Sequence, residues 1–212
     1  TVPALAIGDP VALVLDKSGN GNHLVQIMAT KRPLVSASGL YFDGIDDCFV
    51  TVGVVPAEGQ SVLTLYGGEW QNVATSNFVV ESSEVSTTTK GTFYLVKNSS
   101  GTGKNATRVS GTSFYFLEWP PAESPSKTVV GLRGRTTSGN ALNQCWKNGE
   151  VLGTSTSSLG DTVDFSNNIH YIGARNQAQY FYKGTMTYLI TIFKECTDTE
   201  VKAMSRFINN RM

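Results

Sequence analysis

The sequence predicts an all-β protein in which two antiparallel sheets pack face to face, with one short helix near the C-terminus. Three observations predict this fold. Short apolar runs recur along the 212 residues, and turn-forming residues separate them. Several runs alternate, as Val62 and Thr64 do against Leu63 and Leu65, which is typical of strands with one face toward a core. A helical apolar stripe occurs only after Thr197.

The N-terminal region predicts a β-hairpin. Two apolar runs, Ala12–Leu15 and Leu24–Ile27, flank the turn-forming cluster Ser18–Asn22. This cluster contains an Asn-Gly dipeptide, which suits the positive φ angles at the centre of a tight hairpin turn. We therefore expect the two runs to pair.

A second pair of runs follows, in which Leu40–Phe42 enters the turn residues Asp43–Asp47 and the chain returns as Cys48–Val52. The remaining predicted strands are Ser61–Tyr66, Asn77–Val80, Thr92–Val96, Ser113–Leu117, Thr128–Leu132, Asn143–Lys147, His170–Ile172, Tyr180–Tyr182 and Thr187–Phe193. Loops are predicted at Glu81–Lys90, Lys97–Thr107 and Pro120–Lys127. With this spacing, no repeat and no linker, we expect one sandwich domain over residues 1–212.

The sequence from Thr197 onward predicts one α-helix. Thr197 as N-cap, with Glu200 three residues later, forms a capping box. The apolar residues that recur at helical spacing are Val201, Met204, Phe207 and Ile208. We expect this stripe to pack against the sandwich or to close one end of it, and a helix that docks a partner is the alternative.

Composition narrows the function classes. Lys plus Arg number 17, as do Asp plus Glu, so the chain lacks the basic field that sequence-independent nucleic-acid binding needs. No stretch reaches the roughly 18 apolar residues of a membrane span. The first residues have neither a charged n-region nor a long apolar run, so no signal peptide is predicted.

Three cysteines, Cys48, Cys145 and Cys196, lie far apart in apolar strand contexts. Their odd number argues against a disulfide framework, although one bridge with one free thiol is an alternative. We expect buried thiols, which suit assembly in a reducing cytoplasm.

Motifs at both ends of the chain carry a family resemblance. They are Asp16–His23, Arg32-Pro33, Phe42–Asp47, Asn148-Gly149, Ile169–Gly173 and the pattern from Phe181 to Ile190. Together they resemble concanavalin A-like, LamG-type jelly-roll modules, which are common in bacteriophage virion proteins and bacterial secreted proteins. The resemblance implies a jelly-roll sandwich. It does not imply one function, because this fold carries lectins, structural modules and enzymes alike.

The acids and histidines do not match the enzymes of this fold. A hydrolase needs two carboxylates that face one bond, but Glu81 and Glu84 would lie on opposite faces of a strand. The segments Asn168–His170 and Tyr180–Tyr188 match the alginate-lyase strands imperfectly, and the Arg-rich strand of that family is missing. We therefore predict a non-catalytic protein in which His170 is a strand residue with an ordinary hydrogen bond. A polysaccharide lyase or glycoside hydrolase is the weakest alternative.

Three carboxylates, Asp43, Asp46 and Asp47, cluster at a glycine-containing turn. Hard oxygen ligands in such a turn suit Ca²⁺, and the resembling modules often hold one structural Ca²⁺. Asp and Gly also supply what a tight turn needs without an ion. No cofactor is required by the sequence, and one structural calcium ion stays an open alternative.

Glycan binding on this fold would use aromatic rings that stack on sugar faces and planar polar side chains that bind hydroxyls. Trp146 lies inside a predicted strand and is expected in the core. The candidates for sugar contact border predicted loops, and they are Trp70, Trp119, Arg175, Tyr180 and Tyr182.

These features together predict a non-catalytic module on a phage virion surface, with a structural, decorating or adhesive role and weak glycan binding that gains from many copies. The expected partners are a glycan or cell-surface polysaccharide and other virion proteins, with neither nucleic acid nor a membrane span. A homo-oligomer is left open. The alternative is an extracellular, secreted carbohydrate-binding module.

Overall fold

The computed structural model describes residues 5–71, 76–83, 91–97, 105–110, 114–119, 127–156 and 162–212. Of residues 105 and 114–119, only the backbone is described. All statements of structure below concern these residues.

The described chain forms fifteen β-strands, which are followed by one α-helix, α1 (Asp198–Asn209). A short 3-10 helix covers Ala29–Lys31. The strands are β1 (Leu13–Val14), β2 (Leu24–Val25), β3 (Leu34–Ser36), β4 (Gly39–Asp43), β5 (Phe49–Thr51), β6 (Ser61–Trp70), β7 (Asn77–Ser82), β8 (Thr92–Lys97), β9 (Asn105–Ser110), β10 (Phe114–Trp119), β11 (Lys127–Arg135), β12 (Leu142–Lys147), β13 (Glu150–Ser155), β14 (His170–Ile172) and β15 (Lys183–Ile192).

The strands form two antiparallel sheets, which confirms the predicted sandwich. One sheet has eight strands in the order β1-β2-β5-β14-β7-β8-β9-β10, and the other has seven in the order β13-β12-β11-β6-β15-β4-β3. Apolar side chains from both sheets fill the space between them, with Phe42 and Tyr66 from one sheet facing Phe49, Phe93 and Leu95 from the other. Each such large side chain contributes about 1.5–3 kcal/mol when it is fully buried.

Helix α1 covers the outer face of the seven-stranded sheet. Its Val201 and Ile208 pack on Leu63, Leu65 and Trp146, so both faces of strand β6 are buried. The predicted alternation along this strand is confirmed, with Val62 toward the sandwich core and Leu63 and Leu65 on the outer face beneath α1. The core position of Trp146 and the capping box of α1 are both confirmed.

Strands β1 and β2 pair as expected, but residues 15–23 connect them, so the predicted tight Asn-Gly turn is wrong. The positive φ angles in this connection belong to Gly19 and Gly21 and not to Asn20. Asn148 and Gly149 both have positive φ and connect β12 to β13. The turn residues therefore act as their backbone preferences require.

Three predicted elements are wrong. Strands β4 and β5 lie in different sheets, so the turn Asp43–Asp47 carries the chain from one sheet to the other instead of closing a hairpin. Tyr180–Tyr182 is not a strand but the end of a loop between β14 and β15. Strand β9 begins within the predicted loop Lys97–Thr107.

The three cysteines are free and buried, as expected. Among the described residues, no helix has the length and apolar character needed to cross a membrane.

Candidate functional site

The outer face of the eight-stranded sheet carries one continuous row of side chains. Inward neighbours such as Phe49, Ile172 and Leu95 belong to the core, so alternate residues point outward. The strand register places one outward residue per strand side by side, in the order Leu13, Val25, Val50, Tyr171, Glu81, Tyr94 and Arg108. The row is apolar toward β1 and charged toward β9.

Glu81 lies at the centre of the charged part and is fully buried. Its Oε2 accepts a hydrogen bond from the backbone N–H of Asn176 at 3.1 Å, and its Oε1 lies 3.7 Å from Nε of Arg175. Burial raises the pKa of Glu81, and the Arg175 charge and the hydrogen bonds to the carboxylate oppose this effect. This buried carboxylate therefore fixes the position of Arg175.

The loop that carries Arg175 has unusual backbone angles. Asn176, Gln177 and Tyr180 have φ angles of 48°, 55° and 55°. Residues other than glycine rarely adopt this left-handed backbone conformation. Its ends are closed by backbone hydrogen bonds, with the Arg175 N–H donating to Gln179 O at 2.8 Å. Strained backbone of this kind clusters at ligand-binding sites.

Two aromatic rings surround the Arg175 guanidinium. Its central carbon lies 5.8 Å from the ring centre of Phe78 and 6.0 Å from that of Tyr180. The rings of Phe78 and Tyr180 stack on each other at 5.8 Å. Tyr180 is 39% exposed, so this loop presents both a ring and a cation to solvent.

Arg108 supplies a second guanidinium two strands away from Glu81. It hydrogen-bonds to the side chain of Tyr94, which is its register partner. Burial lowers the pKa of Arg108, and the Tyr94 contact opposes that effect while the charge of Arg175 adds to it. Burial likewise raises the pKa of Tyr94, against the effect of the Arg108 charge. The phenol stays neutral beside two cations.

The arrangement suits an anion that also has a flat apolar side. Glu81, Arg108 and Arg175 together carry one excess positive charge. Guanidinium groups bind carboxylates with paired, directional hydrogen bonds. Rings such as Tyr180 stack on the apolar faces of sugars.

The structure brings together two of the predicted glycan residues, Arg175 and Tyr180. It buries Trp70 and Tyr182, so the expectation that these rings face a sugar is wrong. The side chain of Trp119, at the end of β10, lies outside the described residues.

Both buried rings have structural roles in the core. Lys97 Nζ lies 3.4 Å from the ring centre of Trp70. The Tyr182 hydroxyl hydrogen-bonds to that of Tyr66 and donates to the carbonyl oxygen of Glu69 at 3.1 Å. Strand alternation turns Trp70 inward at the end of β6. Tyr182 lies at the end of a loop, where its N–H donates to Gly173 O at 2.7 Å. Proximity to a loop in the sequence does not reveal either position.

Sequence reasoning missed four residues of the site, namely Phe78, Glu81, Tyr94 and Arg108. A signal was present in β8, where Tyr94 stands between Phe93 and Leu95, because alternation must turn either the tyrosine or both neighbours outward. Arg108 gave no such signal, since it follows a segment rich in Ser, Thr and Asn that resembles a loop.

The three aspartates are adjacent in the structure, with one carboxylate oxygen of each within 4.8 Å of the others. Hydrogen bonds of the turn occupy several of these oxygens. Asp47 Oδ2 accepts from the Asp43 N–H at 2.9 Å, and Asp43 Oδ1 accepts from the Ile45 N–H at 2.7 Å. Burial, with the nearby charges of Asp43 and Asp46, raises the pKa of Asp47 to about 6. The metal interpretation stays a prediction.

His170 is a buried strand residue whose ring packs against Phe93 and Phe193. Its Nε2 has no hydrogen-bond partner in the described part of the chain, so the expected ordinary hydrogen bond is absent at that atom. Burial lowers the pKa of His170 to about 4. The ring points into the core, away from the outer row.

Comparison with known proteins supports the fold. No family model matches the chain, and no curated protein sequence does so either. Among solved structures, the CBM40 of the Ruminococcus gnavus IT-sialidase bound to α2,3-sialyllactose is similar, with 14% identity, a TM-score of 0.54, and coverage of 70% of this chain and 83% of that one. A SAP-like pentraxin from Limulus polyphemus has 13% identity and a TM-score of 0.58, covering 78% and 80%.

The botulinum neurotoxin serotype D ligand-binding domain in complex with N-acetylneuraminic acid is also similar, with 9% identity and a TM-score of 0.60. The match covers 96% of this chain and 50% of that one, so this chain spans about half of the toxin domain. At these identities the likeness concerns the fold alone. The chain is an all-β jelly-roll sandwich.

Proposed function

We propose that this chain is a glycan-binding module whose site is the outer row of the eight-stranded sheet around Arg175, and that it binds an acidic saccharide. The observation that carries this proposal is the buried Glu81 carboxylate that positions Arg175 beside Arg108. A buried charge pair costs desolvation energy and adds little stability by itself. A cation held in this way at a half-exposed surface is suited to recognise an anion.

The neighbouring structures support the choice of ligand. Two of them were determined with sialyllactose or N-acetylneuraminic acid, both of which carry a carboxylate on a sugar ring. The proposed contacts are a carboxylate on Arg175 and Arg108 and a sugar face on Tyr180. The proposal contains no catalytic step, because the row holds one carboxylate and glycosidic cleavage by acid and base needs two.

The test is titration calorimetry of the full chain with 3′-sialyllactose, and with lactose as the neutral comparison. We expect sialyllactose to bind and lactose to bind at least 10-fold more weakly. Arg175→Gln should lower the affinity for sialyllactose about 10-fold or more, because a hydrogen bond to a charged group is worth roughly 1.5–3 kcal/mol. Arg206→Gln, an exposed arginine on α1, is the matched control.

Two results would contradict the proposal. One is equal affinity for sialyllactose and lactose. The other is an Arg175→Gln protein that melts like the wild type and still binds sialyllactose with unchanged affinity.

The proposal extends to the setting of the module. We infer that many copies are displayed on a phage particle, with an extracellular secreted module as the alternative. The support is the resemblance of both chain ends to phage jelly-roll modules, together with three buried free thiols that suit assembly in a reducing compartment. Mass spectrometry of purified phage particles tests the virion setting directly.

A further inference from the structure

The apolar part of the outer row is partly exposed to solvent, since Val25 and Val50 are half-buried. Val14 and Leu24 pack on the core, so Leu13 and Val25 point outward. Leu13 is 49% exposed, and Val52, two residues after the outward Val50, is 62% exposed. An exposed apolar patch of this kind usually has a binding role.

The patch lies on the same sheet face as the charged site and close to it. Val50 is the register partner of Tyr171, and Tyr171 is the partner of Glu81 on its other side. Two strand spacings, about 10 Å, therefore separate Val50 from the carboxylate that positions Arg175. One ligand slightly longer than a monosaccharide reaches both parts.

We propose that the site takes an acidic saccharide that carries an apolar chain, that is, an acidic glycolipid. This inference rests on the proposed function and adds the second half of the ligand. The anionic sugar lies at Arg175 and Arg108, and the chain lies over Val25, Val50 and Val52. The charged end supplies orientation, and each methylene buried on the patch adds to the hydrophobic contribution.

The test compares the α-methyl and α-octyl glycosides of N-acetylneuraminic acid, each below its critical micelle concentration, with the full chain. We expect the octyl glycoside to bind at least 10-fold more tightly than the methyl glycoside. Val50→Thr and Val52→Thr should each reduce this ratio to below about 3-fold, because threonine keeps the shape of valine and adds a hydroxyl. Val52 is more exposed than Val50, so Val52→Thr should leave the fold intact.

Val151→Thr is the matched control, since Val151 is an exposed valine on β13 of the other sheet. It should leave the ratio between the two glycosides unchanged. A wild-type protein that binds both glycosides equally overturns this inference and leaves the proposed function intact. A tenfold gain that survives both Val50→Thr and Val52→Thr overturns it as well.

If neither glycoside binds, the proposed function fails and this inference fails with it. The patch would alternatively join two copies of the chain. Sedimentation velocity would then show a dimer that Val52→Thr weakens, and the octyl group would give no gain in affinity. That result also overturns the glycolipid proposal.

Discussion

Burial changes the protonation of several single residues, and the consequences differ in sign. His170 and Asp47 are both largely buried, yet the pKa of the histidine is lowered to about 4 and that of the aspartate is raised to about 6. In each case the low-dielectric surroundings disfavour the charged form. Protein stability should therefore respond to each group over its own pH range.

For His170, the unfolded chain binds a proton near the ordinary pKa of 6.5, whereas the folded protein binds it only near pH 4. Stability is unaffected by this group above pH 6.5 and falls as the pH decreases from 6.5 to about 4, by up to roughly 3 kcal/mol. Urea denaturation across this range should show a steeper loss for wild type than for His170→Phe. Parallel curves of unfolding free energy against pH for the two proteins would contradict the lowered pKa of His170.

For Asp47, stability changes with pH in the opposite direction, because its pKa is raised in the folded protein. The folded protein binds a proton below about pH 6 and the unfolded chain only near 3.8, so this group destabilises the fold as the pH rises through this range. Asp47→Asn keeps an acceptor for the Asp43 N–H and should be more stable than wild type at pH 7.5 by roughly 1–2 kcal/mol, after allowance for solvent screening. The two proteins should converge near pH 4.

Denaturation of wild type and Asp47→Asn with added calcium distinguishes a Ca²⁺ site at Asp43–Asp47 from a turn that holds no ion. A bound divalent cation favours ionised carboxylates. Millimolar CaCl₂ should raise the wild-type midpoint, and not that of Asp47→Asn, only if the turn is a metal site. An unchanged midpoint supports the turn without an ion.

At the level of elements, helix α1 decides which sheet face is open. Its capping box is formed by Thr197, whose Oγ1 accepts from the Glu200 N–H at 3.3 Å, and by Glu200, whose Oε2 accepts from the Thr197 N–H at 2.7 Å. The helix buries Leu63, Leu65 and Trp146. The outer face of the seven-stranded sheet is therefore covered over β6, β11 and β12.

Thr197→Ala removes this cap and should cost about 1 kcal/mol in the free energy of unfolding. Thr199→Ala, an exposed threonine within the same helix, is the matched control and should have little effect or a small stabilising one. Chemical denaturation of the two variants measures the difference. Equal midpoints would mean that the cap contributes nothing to the fold.

Helix α1 could be predicted from the sequence because its signals are local. The capping box and the apolar spacing from Val201 to Ile208 lie within twelve residues. The path of the chain at Asp43–Asp47 could not be predicted in the same way. A turn that closes a hairpin and a turn that crosses between sheets use the same residues, and only long-range packing distinguishes them.

The site was only partly predictable for the same reason. Arg175 and Tyr180 lie near each other in the chain, and the sequence suggested both. Glu81, Tyr94 and Arg108 join them only through the register of β7, β8 and β9. Register depends on which face is buried, and this information is spread over the whole sandwich.

At the scale of the whole molecule, the proposed site lies on the outer face of the eight-stranded sheet. A few rings and guanidinium groups on such a face give modest affinity for a single sugar. We expect micromolar to millimolar binding by one copy. Because each further copy binds at high effective concentration, a multivalent form should bind a sialylated surface about 10²- to 10⁴-fold more tightly.

This prediction is tested by coupling the protein to beads and measuring retention on a sialyllactose-coated surface against the monomer. Beads that carry Arg175→Gln should lose retention, and beads that carry Arg206→Gln should keep it. Failure of the wild-type beads on every sialylated surface would remove the adhesive role and leave a structural one.

The loop around Arg175 has a consequence for engineering. The Gly173 N–H donates to Val79 O at 3.0 Å and the Phe78 N–H donates to Tyr180 O at 3.0 Å, so main-chain atoms tie both ends of the loop to strand β7. Such ties do not depend on the side chains between them. Residues 176–179 therefore form an exchangeable segment, provided that Arg175 is kept as the partner of the buried Glu81. Libraries that vary these residues should yield modules of new specificity on an unchanged sandwich.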